Sequence, residues 1–184
     1  MSQFPQYRDS KLSIDGDVAA FYEREFYPFS NFSSFQIEWR GKLWPTSEHA
    51  YQAARYYDVT PAYVHKIQRM RSAHEAYDFM RNNRDAERPD WLNEKRAIMK
   101  DILRHKIQQH PYVRKKLLET GDACIVEDSP VDPYWGWGPD RQGANNLGTI
   151  WMELREELKN GKITKLWPKC SPGANENIAR AFNG

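Results

Sequence analysis

What the sequence has little of sets the first limits. Two of its 184 residues are cysteine, Cys124 and Cys170, in unrelated contexts without metal-ligand spacing; they read as reduced thiols of a cytosolic protein. No apolar run approaches the length that spans a bilayer, and Met1 to Asp17 lacks the basic-then-apolar layout of a signal peptide. A cytoplasmic protein with no membrane partner is expected. Charge of one sign is also missing. Lysine and arginine (27) nearly balance aspartate and glutamate (25), and the net +2 is too weak to argue for nucleic acid by itself. The five histidines make no metal motif, and there is no HExxH pair, Walker loop, GxGxxG fingerprint or GxSxG elbow. No metal and no cofactor are expected.

What is present is a globular composition, 40% apolar, with an unusual load of tryptophan and tyrosine. The length fits one compact domain with a proper core. The first eighteen residues are polar and non-periodic and read as an extension. Ala19 to Glu25 fits a short strand, and Phe26 to Ser34 an aromatic loop. Phe35 to Trp39 alternates with period two, Gly41-Lys42 can turn, and Leu43-Trp44 returns, which predicts a hairpin. Pro45 and Thr46-Ser47 open a helix running to about Tyr57. Thr60-Pro61 starts another, and Ser72-Ala73-His74-Glu75 fits a capping box. Asp90 caps a long helix whose stripe is Trp91, Lys95, Ile98, Met99, Ile102, Leu103, Lys106 and Ile107. His110-Pro111 begins a helix stopped by Gly121, Ala123 to Val126 reads as a strand, and Leu147, Ile150, Trp151, Leu154 and Leu158 mark a final helix ended by Gly161. The expectation is an α+β protein: a mainly helical single domain over residues 19–161 with a small antiparallel β-sheet, preceded by an extension (1–18) and followed by a loose, peripheral tail (162–184). A monomer or weak oligomer is expected.

The chemistry concentrates in two places. In Leu43-Trp44-Pro45-Thr46-Ser47-Glu48-His49-Ala50-Tyr51-Gln52-Ala53-Ala54-Arg55, a carboxylate falls in the first turn of a helix. Free backbone amides and the macrodipole favour its charged form there, while burial beside Trp44 would raise its pKa. An acid in a first turn is also ordinary helix chemistry. Far downstream, Asp132-Pro133-Tyr134-Trp135-Gly136-Trp137-Gly138 places a second acid among aromatics, although Asp-Pro is common in turns. Trp135 and Trp137 either plug a core or build a stacking wall for a flat ring. Asn145-Asn146 can supply amides to a ribose or phosphate, or form a turn and helix cap. Arg55, Arg81, Arg84, Lys95 and Arg141 are the basic residues available to a phosphate. His49 reads more as a packing or orienting residue than as a catalyst.

These residues resemble the NADAR, or YbiA-like, domain family. The resemblance rests on Phe29-Ser30-Asn31-Phe32, on Trp44-Pro45-Thr46-Ser47-Glu48-His49 with Gln52-Ala53, on Arg88-Pro89-Asp90-Trp91 with Lys95 and Met99, on Asp132 with Tyr134-Trp135-Gly136 and Gly138, and on Asn145/Asn146-Leu147-Gly148 with Met152, Leu154 and Arg155. It spans roughly residues 19 to 160. The resemblance implies an N-glycosidase that hydrolyses the bond between a ribose anomeric carbon and an exocyclic amine of a heterocycle. Its implied substrate is ADP-ribose on guanine in DNA, with single-stranded DNA as the partner. Its alternative is a ribosylaminopyrimidine phosphate intermediate of riboflavin synthesis. A third reading, from another class, is a non-catalytic binder of NAD or ADP-ribose.

On this resemblance Glu48 and Asp132 are the catalytic acids. Glu48 stabilises an oxocarbenium-like state or activates water, and Asp132 handles the leaving amine's proton or orients the sugar, with the roles exchangeable. The implied substrate-binding set is Phe29, Ser30, Asn31, Phe32, Trp44, His49, Gln52, Arg55, Trp91, Lys95, Tyr134, Trp135, Gly136, Asn145 and Asn146. One departure stands out. Many relatives carry lysine where this chain has Arg55, and an arginine forms no imine with an opened ribose, so a Schiff-base step would need another lysine such as Lys95 or be absent.

Overall fold

Helix α1 (Ser47–Ala54) sets the architecture, because every one of its eight residues is buried. A computed structural model of the chain describes residues 14–15, 18–22 and 27–163. Around α1 pack α2 (Pro61–Gln68), α3 (Ala73–Arg81) and α4 (Trp91–Gln109). Ala50, Ala53 and Ala54 let the neighbouring helices approach closely. Thr46 caps α1, its Oγ1 accepting the His49 amide at 3.3 Å. Ser72 caps α3, accepting the Glu75 amide at 3.1 Å, but the Glu75 carboxylate accepts from the Arg71 amide and so closes only half of the predicted capping box. Thr60 and Asp90 precede α2 and α4 without a side-chain cap; Asp90 is held instead by Arg88.

The hairpin forms from β1 (Ile37–Trp39) and β2 (Lys42–Trp44), antiparallel, with Ile37 opposite Trp44. Its turn is one residue earlier than predicted. Arg40 (φ 50°) and Gly41 (φ 69°) both take the left-handed conformation that suits the right-handed twist of a two-residue hairpin. The predicted terminal strands are seen at Val18–Phe21 and Cys124–Glu127, and Ile14–Asp15 adds a short third strand on the outer side of the first. Ile14–Asp15 pairs antiparallel with Val18–Phe21, but Val18–Phe21 pairs parallel with Cys124–Glu127. That parallel pair needs a crossover spanning most of the chain, which local patterning does not reveal. Residues 23–25 of the expected first strand, residue 26 of the expected aromatic loop, most of the expected extension (1–13 and 16–17) and nearly all of the expected loose tail, from residue 164 onward, lie outside the described residues.

The remaining helices are α5 (Pro111–Glu119) and α6 (Asn146–Lys159). Helix α6 lies directly against Cys124–Glu127, and Gly148 makes this possible. A Cβ there would meet the Ile125 carbonyl oxygen at 2.1 Å and the Asn145 side chain at 2.6 Å. On its other side α6 is laced to α4, Glu153 taking Arg96 and Lys100, Glu157 taking Lys100 and Arg104. Among the described residues no helix is long and apolar enough to cross a membrane. Gly148→Ala is expected to destabilise the fold by about 3 kcal/mol, the upper range for overpacking. A urea-unfolding midpoint within error of the wild type would show that helix and strand are not in this close contact.

Candidate active site

The loop before the hairpin, the first turn of α1, the end of α3 and the end of the Cys124–Glu127 strand converge on a cavity of about 180 Å³. Three carboxyl groups line it: Glu48, Glu127 and Asp132. Phe32, Tyr77 and Trp135 contribute aromatic walls, Met80 and Met99 apolar ones, and Asn31, Gln52, Arg55 and Arg84 polar ones. Two larger hollows, of about 600 Å³ beside His65 and Arg69 and about 420 Å³ beside Tyr22 and Arg141, gather no such set of acids. Chemistry therefore points to the smaller cavity.

Glu48 is anchored at both ends. Its backbone amide donates to the Asn31 carbonyl at 3.0 Å. Its Oε1 accepts from Gln52 Nε2 at 2.6 Å, Gln52 Oε1 accepts from Arg55 Nε at 2.8 Å, and Arg55 pairs with Glu87 at 2.5 Å. The Arg55 guanidinium also lies over the Trp91 ring, 4.3 Å from its centroid. This chain fixes the orientation of the Gln52 amide and points its donor at Glu48. Burial nonetheless dominates: it raises the Glu48 pKa to about 7, with Asp132 adding to the rise while Gln52 and Arg55 oppose it. The helix terminus, whose free amide is already used by Asn31, does not hold Glu48 in the ordinary carboxylate range.

Asp132 is held differently. Its Oδ1 accepts the backbone amides of Tyr134 at 2.9 Å and Trp135 at 2.8 Å, so it both turns the loop and reaches the cavity wall. Trp135 meets Tyr51 edge-to-face at 5.6 Å. Trp137 belongs to a second small core with Val18, Ala20 and Val126, its indole donating to Asp128 at 2.7 Å. Of the two indoles, then, one is wall and the other core.

Among the residues expected in the site, the fold brings Glu48, Asp132, Asn31, Phe32, Gln52, Arg55 and Trp135 around one cavity. The others lie outside its lining. Phe29 is core, its ring tilted against Trp151 with centroids 4.9 Å apart, and the Ser30 carbonyl accepts from the buried Lys106 ammonium at 3.0 Å. Trp44 is wholly buried under the hairpin, donating to the Trp39 carbonyl. His49 points the other way, its ring bonded to Thr46 Oγ1 at 2.8 Å and to the Met70 carbonyl at 3.2 Å. Trp91 lies beneath Arg55, and the Lys95 ammonium sits 3.5 Å from the centre of the Tyr134 ring. Gly136 packs where a Cβ would come within 2.6 Å of the Glu127 carbonyl oxygen. Asn145, in the left-handed region (φ 48°), donates to the Ile125 carbonyl and accepts the Glu127 amide, mimicking a further strand. Asn146 donates to the Tyr134 carbonyl.

Sequence reasoning missed Glu127. Its signal was an acid directly after the apolar run Ile125-Val126, a position that delivers a side chain to the end of a buried strand. Tyr51, Tyr77 and Met80 were missed as well, being indistinguishable from ordinary helix residues, and Met99 carried the resemblance without being placed in the site.

A family model for the NADAR domain matches residues 20–159. The chain belongs to the NADAR domain family. It is 40% identical over 134 residues to the N-glycosidase YbiA of Escherichia coli, covering 73% of this chain and 82% of YbiA. An N-glycosidase of Nostoc punctiforme is 37% identical over 133 residues, covering 72% and 85%. A riboflavin biosynthesis protein of Vibrio vulnificus is 38% identical over 153 residues, which is 82% of this chain but 41% of that longer protein. The NMR structure of E. coli YbiA superposes with a TM-score of 0.73 at 36% identity, covering 85% of this chain and 94% of that one. The helical α+β fold is thus that of YbiA, and the enzyme class is that of a hydrolase acting on N-glycosyl bonds.

Within this NADAR site, ionising the buried acids works against folding. Glu48 rises from 4.5 to about 7, and Glu127 from 4.5 to about 8. Across these windows these two groups bind more protons in the folded chain than in the unfolded one, so their contribution to stability is full below pH 4.5 and is lost as pH rises through the folded values. Glu48→Gln is expected to stabilise the protein at pH 8 by about 2 kcal/mol, an advantage lost near pH 4. Melting temperatures of wild type and variant that differ equally at both pH values would contradict a buried, proton-holding Glu48.

Proposed function

We propose that the chain hydrolyses the bond between the anomeric carbon of a phosphorylated ribose and an exocyclic amine on a flat heterocycle, with a small molecule as substrate. The observation that carries this reading is the composition of one cavity: acids that can face a carbon turning cationic, an aromatic wall, and a single cation left over. Arg84 lines the cavity, is exposed, and has no carboxylate partner among the described residues. Arg55 beside it is committed to Glu87 and Gln52. One unpaired guanidinium suits one phosphate.

Trp135 and Phe32 flank the heterocycle in this reading. The Glu48 carboxylate, oriented by Gln52, stabilises the positive charge developing at the anomeric carbon and accepts a proton from the attacking water. Asp132, its Oδ1 held by two backbone amides, fixes the ribose. Arg55 acts on Glu48 through Gln52 rather than on substrate, which leaves no imine chemistry at this position. The name of the V. vulnificus relative, a riboflavin biosynthesis protein, agrees with a ribosylaminopyrimidine phosphate as substrate.

The other substrate, ADP-ribosylated guanine in DNA, asks for a basic groove beside the cavity. On the segments that line the cavity, Arg84 is the cation left over, while Arg81 is matched by Asp78, Arg88 by Asp90 and Asp58, and Arg55 by Glu87. That matching favours the small substrate.

A paired mass-spectrometric assay tests the reading, with wild type and Glu48→Gln offered a ribosylaminopyrimidine phosphate or a guanine-ADP-ribosylated oligonucleotide. Wild type is expected to release ribose phosphate, and the variant to be slower by about 10³-fold, the scale of losing one electrostatic stabiliser. Release from the oligonucleotide alone would replace the substrate class. Silence in both tubes with ADP-ribose still bound would make the protein a binder.

The phosphate assignment has its own test. Arg84→Ala is expected to raise KM about tenfold on the phosphorylated substrate, the loss of one charge-assisted hydrogen bond, and to leave the dephosphorylated riboside unchanged. Equal effects on both would remove Arg84 from phosphate recognition.

A further inference from the structure

We propose that Glu127 is the proton donor of this site, its carboxyl group protonating the departing amine as the N-glycosidic bond breaks. This rests on the function proposed above and moves to a third acid the leaving amine's proton, which the resemblance implied for Asp132 or, with the roles exchanged, for Glu48.

The three acids of the cavity differ in what holds them. Glu48 accepts from Gln52, and Asp132 from two backbone amides; donors of this kind favour the charged form. Glu127 Oε2 is buried with no hydrogen-bond partner among the described residues. A buried carboxylate oxygen without a donor disfavours charge, whereas the protonated group needs only an acceptor, which a departing amine provides. The backbone of Glu127 is rigid. It ends the parallel strand opposite Phe21, its amide donates to Asn145 Oδ1 at 3.0 Å, and its carbonyl accepts from the Trp137 amide at 3.2 Å. Gly136 packs against the same carbonyl. A rigid strand end places the side chain more precisely than a loop would.

The surrounding charges point the same way. Sharing the cavity with Glu127 are Glu48, Tyr51 and Arg55 from α1 and its end, Tyr77 from α3, Arg84 beyond it, and Asp132 from the loop; burial keeps the Tyr51 hydroxyl neutral. Both acids oppose its ionisation. Arg55 is taken by Glu87 and Gln52, and Arg84 is exposed. Burial first, then Asp132 and Glu48, raise Glu127 to about 8. Two acids in one cavity, one given a hydrogen-bond donor and the other left without one, is an arrangement in which one accepts and the other donates a proton.

The step balances without a further reactant. The bond between C1 of the ribose and nitrogen breaks with its electron pair going to nitrogen, which takes the Glu127 proton and leaves as the free amine. Water adds to C1 and gives a proton to the Glu48 carboxylate. The proton returns from Glu48 to Glu127 through solvent, leaving ribose phosphate and amine.

The test is the pH dependence of single-turnover hydrolysis of a ribosylaminopyrimidine phosphate by wild type, Glu127→Gln and Glu127→Asp. The wild-type rate is expected to fall as pH rises past about 8. Glu127→Gln should be slower by about 10²–10⁴-fold, with that alkaline limb gone and substrate affinity within a few-fold. Glu127→Asp should keep part of the rate with the limb displaced. Glu127→Gln should also melt no lower than wild type at pH 8, which separates lost chemistry from lost fold. A Gln variant with near-wild-type rate, or one that is slow but keeps the alkaline limb, would overturn Glu127 as donor while leaving the N-glycosidase reading intact. A wild type that releases no amine from this substrate or from the guanine-ADP-ribosylated oligonucleotide would overturn both.

Discussion

The structure depends on burying a helix that is not apolar. Helix α1 carries Ser47, Glu48, His49 and Gln52 among its eight fully buried residues, and buried polar groups are tolerable only when partnered. Supplying partners organises the fold around it. Thr46 and the Met70 carbonyl hold His49, the Asn31 carbonyl holds the Glu48 amide, and the Glu87–Arg55–Gln52 chain reaches the Glu48 carboxylate. The loop supplying Asn31 is itself fixed from below by Lys106. Its ammonium, buried without a carboxylate partner among the described residues, donates to the Ser30 carbonyl at 3.0 Å and to Ser33 Oγ at 2.7 Å. Burial lowers its pKa to about 7. Apolar packing closes the domain, but these polar contacts determine which groups face the cavity.

The cavity is where this system of partners stops. Glu48, Glu127 and Asp132 share about 180 Å³, and among the described residues no cation is in a salt bridge with any of them. Like charges in a dry site cannot all ionise cheaply, so protons stay on some of them near neutral pH. That is a cost to stability and a resource for chemistry, since a proton donor and a proton acceptor then coexist at one pH. Arg55 shows the same logic at one remove. It lies on Trp91 and is neutralised by Glu87, so it orients Gln52 without pulling the full charge of Glu48 down to the ordinary range.

Most elements were legible because their signals are local. The stripe from Trp91 to Ile107, the proline starts at Pro61 and Pro111, the caps at Thr46 and Ser72, and the hairpin all depend on residues within a few turns of one another. The parallel pairing of Val18–Phe21 with Cys124–Glu127 was not legible, since more than a hundred residues separate the partners. Nor was the fate of individual aromatics. Trp135 and Trp137 are equivalent in the sequence, yet the turn that Asp132 caps sends one to the cavity and the other beneath Asp128.

By itself, then, the sequence determined the helical framework, the family and two of the three acids, because patterning, capping and motif residues act at short range. Only the tertiary structure decided that His49, Trp44 and Asn145 serve the scaffold, that Arg55 acts through Gln52, and that Glu127 joins Glu48 and Asp132. Side-chain direction and desolvation arise when distant segments meet, and the proton affinity of an acid follows from the groups it is buried beside rather than from its neighbours along the chain.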